Sequence, residues 1–228
     1  MTIDIHKYQT DAESWSAEEA VRWGFNQFHP GIAIASSFGA EDVVLIDLAA
    51  RIRPDFRVFT LDTDFLFPET YTLIDQIEQH YGLQIERARS RHTPEEQAAA
   101  FGEALWSREP DKCCNLRKVE PLTQKLAGLS AWITGIRRDQ SPTRAHARKL
   151  EWDSKFNLVK FNPLADWTWE QVWEYIHAHN VPYNPLHDRN YPSIGCTYCT
   201  RQVQAGEDMR AGRWSGFQKT ECGLHKKG

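Results

Sequence analysis

Gly31-Ile32-Ala33-Ile34-Ala35-Ser36-Ser37-Phe38-Gly39-Ala40-Glu41-Asp42-Val43-Val44-Leu45-Ile46-Asp47-Leu48 is the stretch that decides the fold. Its first six residues read as a buried strand, Ser37 to Ala40 as a tight turn, and Glu41 to Leu48 as a helix. The same pattern follows. Phe56-Arg57-Val58-Phe59-Thr60-Leu61 is a second strand, and Pro68 to Tyr81 a second helix with proline in its first turn. Leu83-Gln84-Ile85-Glu86 is a candidate third strand and Ala131-Trp132-Ile133-Thr134-Gly135 a fourth. Strands alternating with helices imply an α/β fold, a mainly parallel sheet wrapped by helices. Ahead of this unit, residues 1–30 read as helical, with Ser16 and Glu19 forming a capping box.

Beyond about residue 150 the texture changes. A short strand, Leu158-Val159-Lys160-Phe161, precedes an amphipathic helix from Thr168 to Asn180. The remainder is irregular and rich in Pro, Gly and Arg. With no repeat and no low-complexity linker, residues 1–228 read as one domain, with a mobile tail from about residue 205.

Composition narrows the function. The chain has 228 residues, 41% of them hydrophobic, enough for a large core. No apolar run approaches the ~20 residues that span a bilayer, and the first residues lack a signal-peptide pattern. The expectation is a cytoplasmic protein without a membrane or nucleic-acid partner, since the net charge is −4. Yet residues 137–149 concentrate Arg137, Arg138, Arg144, Arg148 and Lys149 against only Asp139, with Arg201, Arg210 and Arg213 further on. Such a local cluster suits a small, highly charged anion; a solvated face is the competing reading.

Three strand ends carry polar or basic loops: Ser36-Ser37-Phe38-Gly39, Leu61-Asp62-Thr63-Asp64 and Gly135-Ile136-Arg137-Arg138. Ligands of open parallel sheets bind at such ends. Hydroxyls of Ser36 and Ser37 and the bare backbone of Gly39 suit an anion, and Asp62 and Thr63 suit a ribose or base. Ordinary turn capping explains each loop singly; the three together favour a nucleotide.

The chain's five cysteines divide into Cys113-Cys114, Cys196-Thr197-Tyr198-Cys199 and the lone Cys222. Two close pairs across a long gap suggest one four-thiolate metal site. Adjacent cysteines chelate a single zinc awkwardly but can each take a different iron of a cubane, which favours [4Fe–4S]. Lys118 follows the first pair closely enough to sit beside such a site. Cys222 stands alone on a tail, where a cysteine is more often incidental than catalytic; His225, Arg210 and Arg213 would supply the positive charge that a nucleophilic thiolate needs.

Taken together, these segments resemble the assimilatory adenylyl-sulfate reductases of the phosphoadenylyl-sulfate reductase family. The likeness runs from about Ser36 to His225 and rests on Ser-Ser-Phe-Gly-Ala-Glu-Asp, Leu-Asp-Thr with Phe-Pro-Glu-Thr-Tyr, Cys-Cys-x-x-Arg-Lys-x-x-Pro-Leu, Gly-x-Arg-Arg-x-Gln-Ser, Gly-Cys-x-x-Cys-Thr and Glu-Cys-Gly-Leu-His. It implies a fold like that of the adenine-nucleotide α-hydrolases and a [4Fe–4S] cluster on Cys113, Cys114, Cys196 and Cys199. It implies a Cys222 thiolate that attacks adenylyl sulfate, leaves an S-sulfocysteine and is released by thioredoxin or a glutaredoxin-like dithiol protein. Lys118, Arg144, Arg210 and Arg213 match the family's substrate-binding basic positions. Ser36, Ser37, Gly39, Leu61, Asp62, Gly135, Arg137 and His225 complete the candidate substrate site. The resemblance also allows a homo-oligomer.

Asp64 stands where the family often has glycine, which puts a carboxylate near the expected nucleotide pocket. The Leu66 to Tyr71 stretch also resembles relatives that take the 3′-phosphorylated substrate, so a dual activity is an alternative. Others are an ATP pyrophosphatase-type or RNA-thiolating enzyme, which usually carries Ser-Gly-Gly-x-Asp-Ser in the first turn, and a non-catalytic iron–sulfur module.

Overall fold

The computed structural model describes residues 4–217, 219, 221, 223 and 224. Along them run α1 (Gln9–Ala12), α2 (Ala17–Phe28), β1 (Ile32–Ala35), α3 (Ala40–Ile52), β2 (Val58–Asp62), α4 (Pro68–Tyr81), β3 (Glu86–Arg89) and α5 (Pro94–Phe101). There follow α6 (Leu105–Arg108), α7 (Pro110–Cys114), a π-helical turn (Asn115–Val119), α8 (Glu120–Leu126), β4 (Ala131–Ile133), β5 (Leu150–Asp153), β6 (Leu158–Phe161) and α9 (Trp169–His179).

Local signals explain where the helices begin and end. Ser16 and Glu19 exchange side chain–backbone hydrogen bonds of 3.2 and 2.7 Å at the start of α2. Pro68 opens α4, and Gly82, at φ 63°, closes it in the left-handed conformation. Thr168 and Gln171 box the start of α9, and Asn180 closes it at φ 50°.

Six strands lie in the order β3-β2-β1-β4-β6-β5, all neighbours parallel except the β5–β6 pair. Side chains alternate between two faces, as a period of two requires. Ile32, Ile34, Val58, Ala131, Ile133, Val159 and Phe161 join the main core with α2, α3, α4 and α9. Ala33, Phe59, Trp132 and Leu158 face the other way and pack under Leu122 and Leu126 of α8. Burial of each large aliphatic side chain contributes about 1.5–3 kcal/mol. The chain steps outward from β1 to β2 to β3, then returns to place β4 on the other flank of β1. That reversal makes the C-terminal ends of β1 and β4 the crevice where an open α/β sheet takes its ligands.

The third strand lies at Glu86–Arg89, beginning only at the last residue of the Leu83–Glu86 stretch that predicts it. Leu83 packs on the core and Ile85 is buried, its N–H donating to Glu78 Oε1 at 2.7 Å. Their hydrophobicity seals the end of α4, whereas the paired segment is a charged edge strand. In it Glu86 accepts from Arg57 and Lys125. Strand β5, Leu150-Glu151-Trp152-Asp153, alternates apolar and charged residues over only four positions, too few to mark it as a strand, and it carries Trp152 outward, 46% exposed.

Candidate active site

A cleft of about 1400 Å³, counting its open mouth, runs along the C-terminal ends of β1, β2 and β4. Ser36, Ser37, Gly39, Leu61, Lys118, Gly135, Arg137, Arg144, Arg210 and Arg213 all border it, so ten expected substrate residues meet there. Cys222 and His225 lie outside the described residues.

The turn after β1 is internally braced. Ser36 Oγ accepts from Phe38 N–H at 3.1 Å, with Phe38 itself at φ 60°. Ser37 donates both its N–H (2.6 Å) and its hydroxyl (2.8 Å) to Asp42 Oδ2. Its hydroxyl is therefore committed to a carboxylate, and the turn offers the cleft a shaped backbone more than a spare donor. Burial pushes Asp42 up to about 6, against the two Ser37 hydrogen bonds that favour its ionised form. Gly135, at the end of β4, faces this pair. A Cβ there would overlap Asp42 Oδ1 and lie 2.9 Å from Glu41 Cβ. Only glycine lets the end of β4 approach the first turn of α3 so closely.

A polar chain then crosses the cleft wall. Arg137, 1% exposed, holds Glu41 at 2.9 and 2.8 Å, pairs with Asp139 and lies over the Trp169 ring. Gln140 donates to Glu41 Oε1 (2.9 Å) and accepts from Arg144 Nη1 (2.7 Å). Arg144 in turn grips Glu221 with Nε and Nη2, both at 2.9 Å. Arg213, on the opposite wall, donates to Ser193 Oγ and Ile194 O at 3.2 Å and stacks over Trp214. Its Nε is buried without a hydrogen-bond partner among the described residues.

Asp62 does not border the cleft. Its buried carboxylate accepts from Tyr71 Oη (2.8 Å), Arg89 (2.8 and 3.1 Å) and the Asp64 N–H (3.2 Å). Asp64 likewise does not border the cleft. At φ 59° it pairs with Arg117 at 2.9 Å, a guanidinium that also binds Thr63 O and Gln97 and lies over Phe65. The left-handed backbone explains why glycine suits this position, and Asp tolerates it.

Cys113, Cys114, Cys196 and Cys199 line a second, smaller pocket together with Phe65, Trp106 and Tyr198. All four are unpaired thiols, and the first three are buried. Two come from the end of α7. The other two are brought across by Thr197 N–H donating to Phe65 O at 2.8 Å, and Thr63 Oγ1 lies 3.3 Å from Cys196 Sγ. Burial, then the neighbouring thiols, push Cys113 up to about 12, and burial with Cys196 pushes Cys199 up to about 11. Lys118, in the π-helical turn, borders both pockets and opposes the rise at Cys199. Among the described residues no three Cys, His, Asp or Glu side chains converge to grip a single metal ion. All four cysteines line this one pocket, and two of them are adjacent in the chain, a donor set that suits a polynuclear centre better than one zinc.

The phosphoadenosine phosphosulfate reductase domain model matches residues 31–202. The chain belongs to this reductase family. A protein named adenosine 5′-phosphosulfate reductase from Halalkalibacterium halodurans is 48% identical over 225 residues, covering 98% of this chain and 97% of that one. One of the same name from Staphylococcus haemolyticus is 49% identical over 222 residues, covering 97% and 91%. The crystal structure of phosphoadenylyl-sulfate reductase from Candida auris, a phosphate complex, superposes with a TM-score of 0.78 at 29% identity, covering 88% of this chain and 99% of that one. FMN adenylyltransferase from Candida glabrata, 20% identical with a TM-score of 0.58, shares 83% of this chain and 68% of its own in fold alone. The chain is thus an oxidoreductase of the family, on the adenine-nucleotide α-hydrolase-like scaffold that the family resemblance implies.

Several cleft residues carry no isolated signal in the sequence. Gln140 stands inside the Gly-x-Arg-Arg-x-Gln-Ser motif, yet only the structure shows it holding Arg144. Asp42 and Glu41 read as the first turn of a helix. Trp169 opens an amphipathic helix, and Met209 sits in an aperiodic segment, and both border the cleft. Glu221 adjoins Cys222 in sequence, and its ionic partners are distant in the chain.

Proposed function

We propose that this reductase converts adenylyl sulfate to sulfite and AMP with electrons from thioredoxin or a similar dithiol protein. The observation that carries the reading is the convergence of Lys118, Arg144, Arg210 and Arg213, from three separate segments, on one cleft at the β1–β4 switch. Four cations around a nucleotide-sized crevice match a phosphosulfate, whose charge must be neutralised before an anionic thiolate can approach.

In the proposed reaction the Cys222 thiolate forms a bond to the sulfuryl sulfur, and the sulfur–oxygen bond to the phosphate breaks. AMP leaves with that electron pair, and Cys222 carries S-sulfonate. A thiolate of the dithiol partner then attacks the Cys222 sulfur and releases sulfite. The second thiol resolves the mixed disulfide and returns Cys222 reduced. Both electrons come from the dithiol, which ends as a disulfide. Lys118, Arg144, Arg210 and Arg213 bind and orient the phosphosulfate throughout, and the Gly135–Asp42 contact shapes the wall beside the nucleotide.

Cys113, Cys114, Cys196 and Cys199 would hold a [4Fe–4S] cluster. When bound, such a cluster supplies metal–thiolate bonds that tie the end of α7 to the 196–199 segment, and it adds its charge to the field at Lys118. Unpaired thiols of this kind belong in a reducing compartment, the cytoplasm. The name of the Candida auris neighbour favours a second substrate, the 3′-phosphorylated nucleotide.

Anaerobic turnover with reduced thioredoxin tests the reading. Sulfite release from adenylyl sulfate, abolished in Cys222→Ser, is expected, with slower release from the 3′-phosphorylated form. Release from the 3′-phosphorylated nucleotide alone would reassign the substrate, and release from neither would overturn the function.

A further inference from the structure

Glu221 is buried, 7% exposed, although a carboxylate is costly to bury unless paired. It accepts from Arg144 Nε and Nη2 at 2.9 Å, from Thr143 Oγ1 at 3.2 Å and from Arg210 Nη2 at 3.3 Å. Burial alone would raise its pKa, but the Arg144 hydrogen bonds and the Arg144 and Arg210 charges outweigh it and hold the group below its ordinary range. Glu221 is therefore an anion at neutral pH, docked between two of the arginines assigned to the substrate.

The geometry suits exchange. A guanidinium fork accepts a carboxylate, a phosphate or a sulfate through the same pair of donors. Arg144 turns Nε and Nη2 to Glu221, while its Nη1 is held from behind by Gln140 at 2.7 Å. Gln140 is itself fixed to Glu41 and the Gly135 carbonyl. The fork thus keeps its position whichever anion it holds. Glu221 also immediately precedes Cys222 in the chain, so whatever moves one bears on the other.

We propose that Glu221 is an exchangeable anion latch: without ligand its carboxylate holds Arg144 and Arg210, and the incoming phosphosulfate displaces it from them as it binds. The identity of that incoming anion rests on the function proposed above. Glu221 is then a positioning residue, coupling occupancy of the arginines to the placement of the residue next to the nucleophile.

The experiment uses full-length, cluster-loaded protein in a Cys222→Ser background, which binds without turnover. Glu221→Gln keeps the shape and removes the charge, so the competing ion pair weakens. The expected result is adenylyl sulfate bound about threefold tighter or more, with adenosine, which carries no anion, bound equally by both proteins. Trypsin cleavage after Lys219 without ligand should also accelerate about threefold or more in Glu221→Gln. Unchanged or weaker adenylyl sulfate binding would overturn the latch, as would an unchanged cleavage rate. Weaker adenosine binding would assign Glu221 a purely structural role and overturn it too. If adenylyl sulfate binds neither protein, the substrate assignment falls, and inorganic sulfate then decides the latch: binding about threefold tighter or more to Glu221→Gln supports it, and equal or weaker binding overturns it.

Discussion

Asp42→Asn should change how stability depends on pH. In the folded protein Asp42 titrates at about 6, from an ordinary value of 3.8, because burial disfavours its charge. A group whose folded pKa is raised stabilises the fold while protonated and loses that contribution as pH rises toward the folded value. The full span is worth about 3 kcal/mol, of which about 1.4 kcal/mol falls between pH 5 and 7.5. Asparagine cannot titrate but can still accept from the Ser37 N–H and hydroxyl. The stability of wild type minus that of Asp42→Asn should therefore fall by about 1.4 kcal/mol from pH 5 to 7.5. Anaerobic urea unfolding at several pH values reads this difference and cancels the carboxylates common to both proteins. A flat difference curve, or one that rises with pH, would refute the idea that burial dominates this site.

Gly135→Ala would push a methyl into Asp42 Oδ1 and against Glu41 Cβ, so the melting temperature should drop with about 1–3 kcal/mol of strain. Nucleotide binding should weaken with it, and calorimetry with and without AMP checks both. Gly195→Ala would overlap Arg213 Nη2 and sit 2.6 Å from its Cζ, so the guanidinium must shift while the backbone stays. KM for adenylyl sulfate is expected to rise about tenfold with little change in folding, as loss of a charge-assisted contact implies. Cys113→Ser should lose iron and acid-labile sulfide on metal analysis; full retention of both would contradict the four-cysteine site.

Elements with strong local chemistry were legible in the sequence. The Ser16 box, the proline at the start of α4, and the strand–turn–helix around Ser36 depend on near neighbours, and the structure places all three as expected. The two cysteine pairs, far apart in the chain, do meet at one pocket, as their spacing suggests. What depends on distant packing was hidden. Leu83 and Ile85 read as strand because hydrophobicity does not say whether a residue pairs in a sheet or seals a helix. Asp62 suits a ribose by its position at a strand end, yet Arg89 and Tyr71 occupy it from elements 27 and 9 residues away. The broken helices between Leu105 and Leu126 have no single period: the two cysteines line the smaller pocket, while Lys118 borders both that pocket and the cleft. Glu221 shows the limit most clearly, since an acidic residue on a tail reveals nothing of two arginines that lie 77 and 11 residues back.

The most direct test of the account is the intact mass of anaerobically purified, cluster-loaded protein mixed with adenylyl sulfate and no reductant, followed by peptide mapping. A gain of one SO3 on Cys222, reversed by reduced thioredoxin with release of sulfite, is the predicted result. No adduct, or an adduct on one of the other four cysteines, would contradict it.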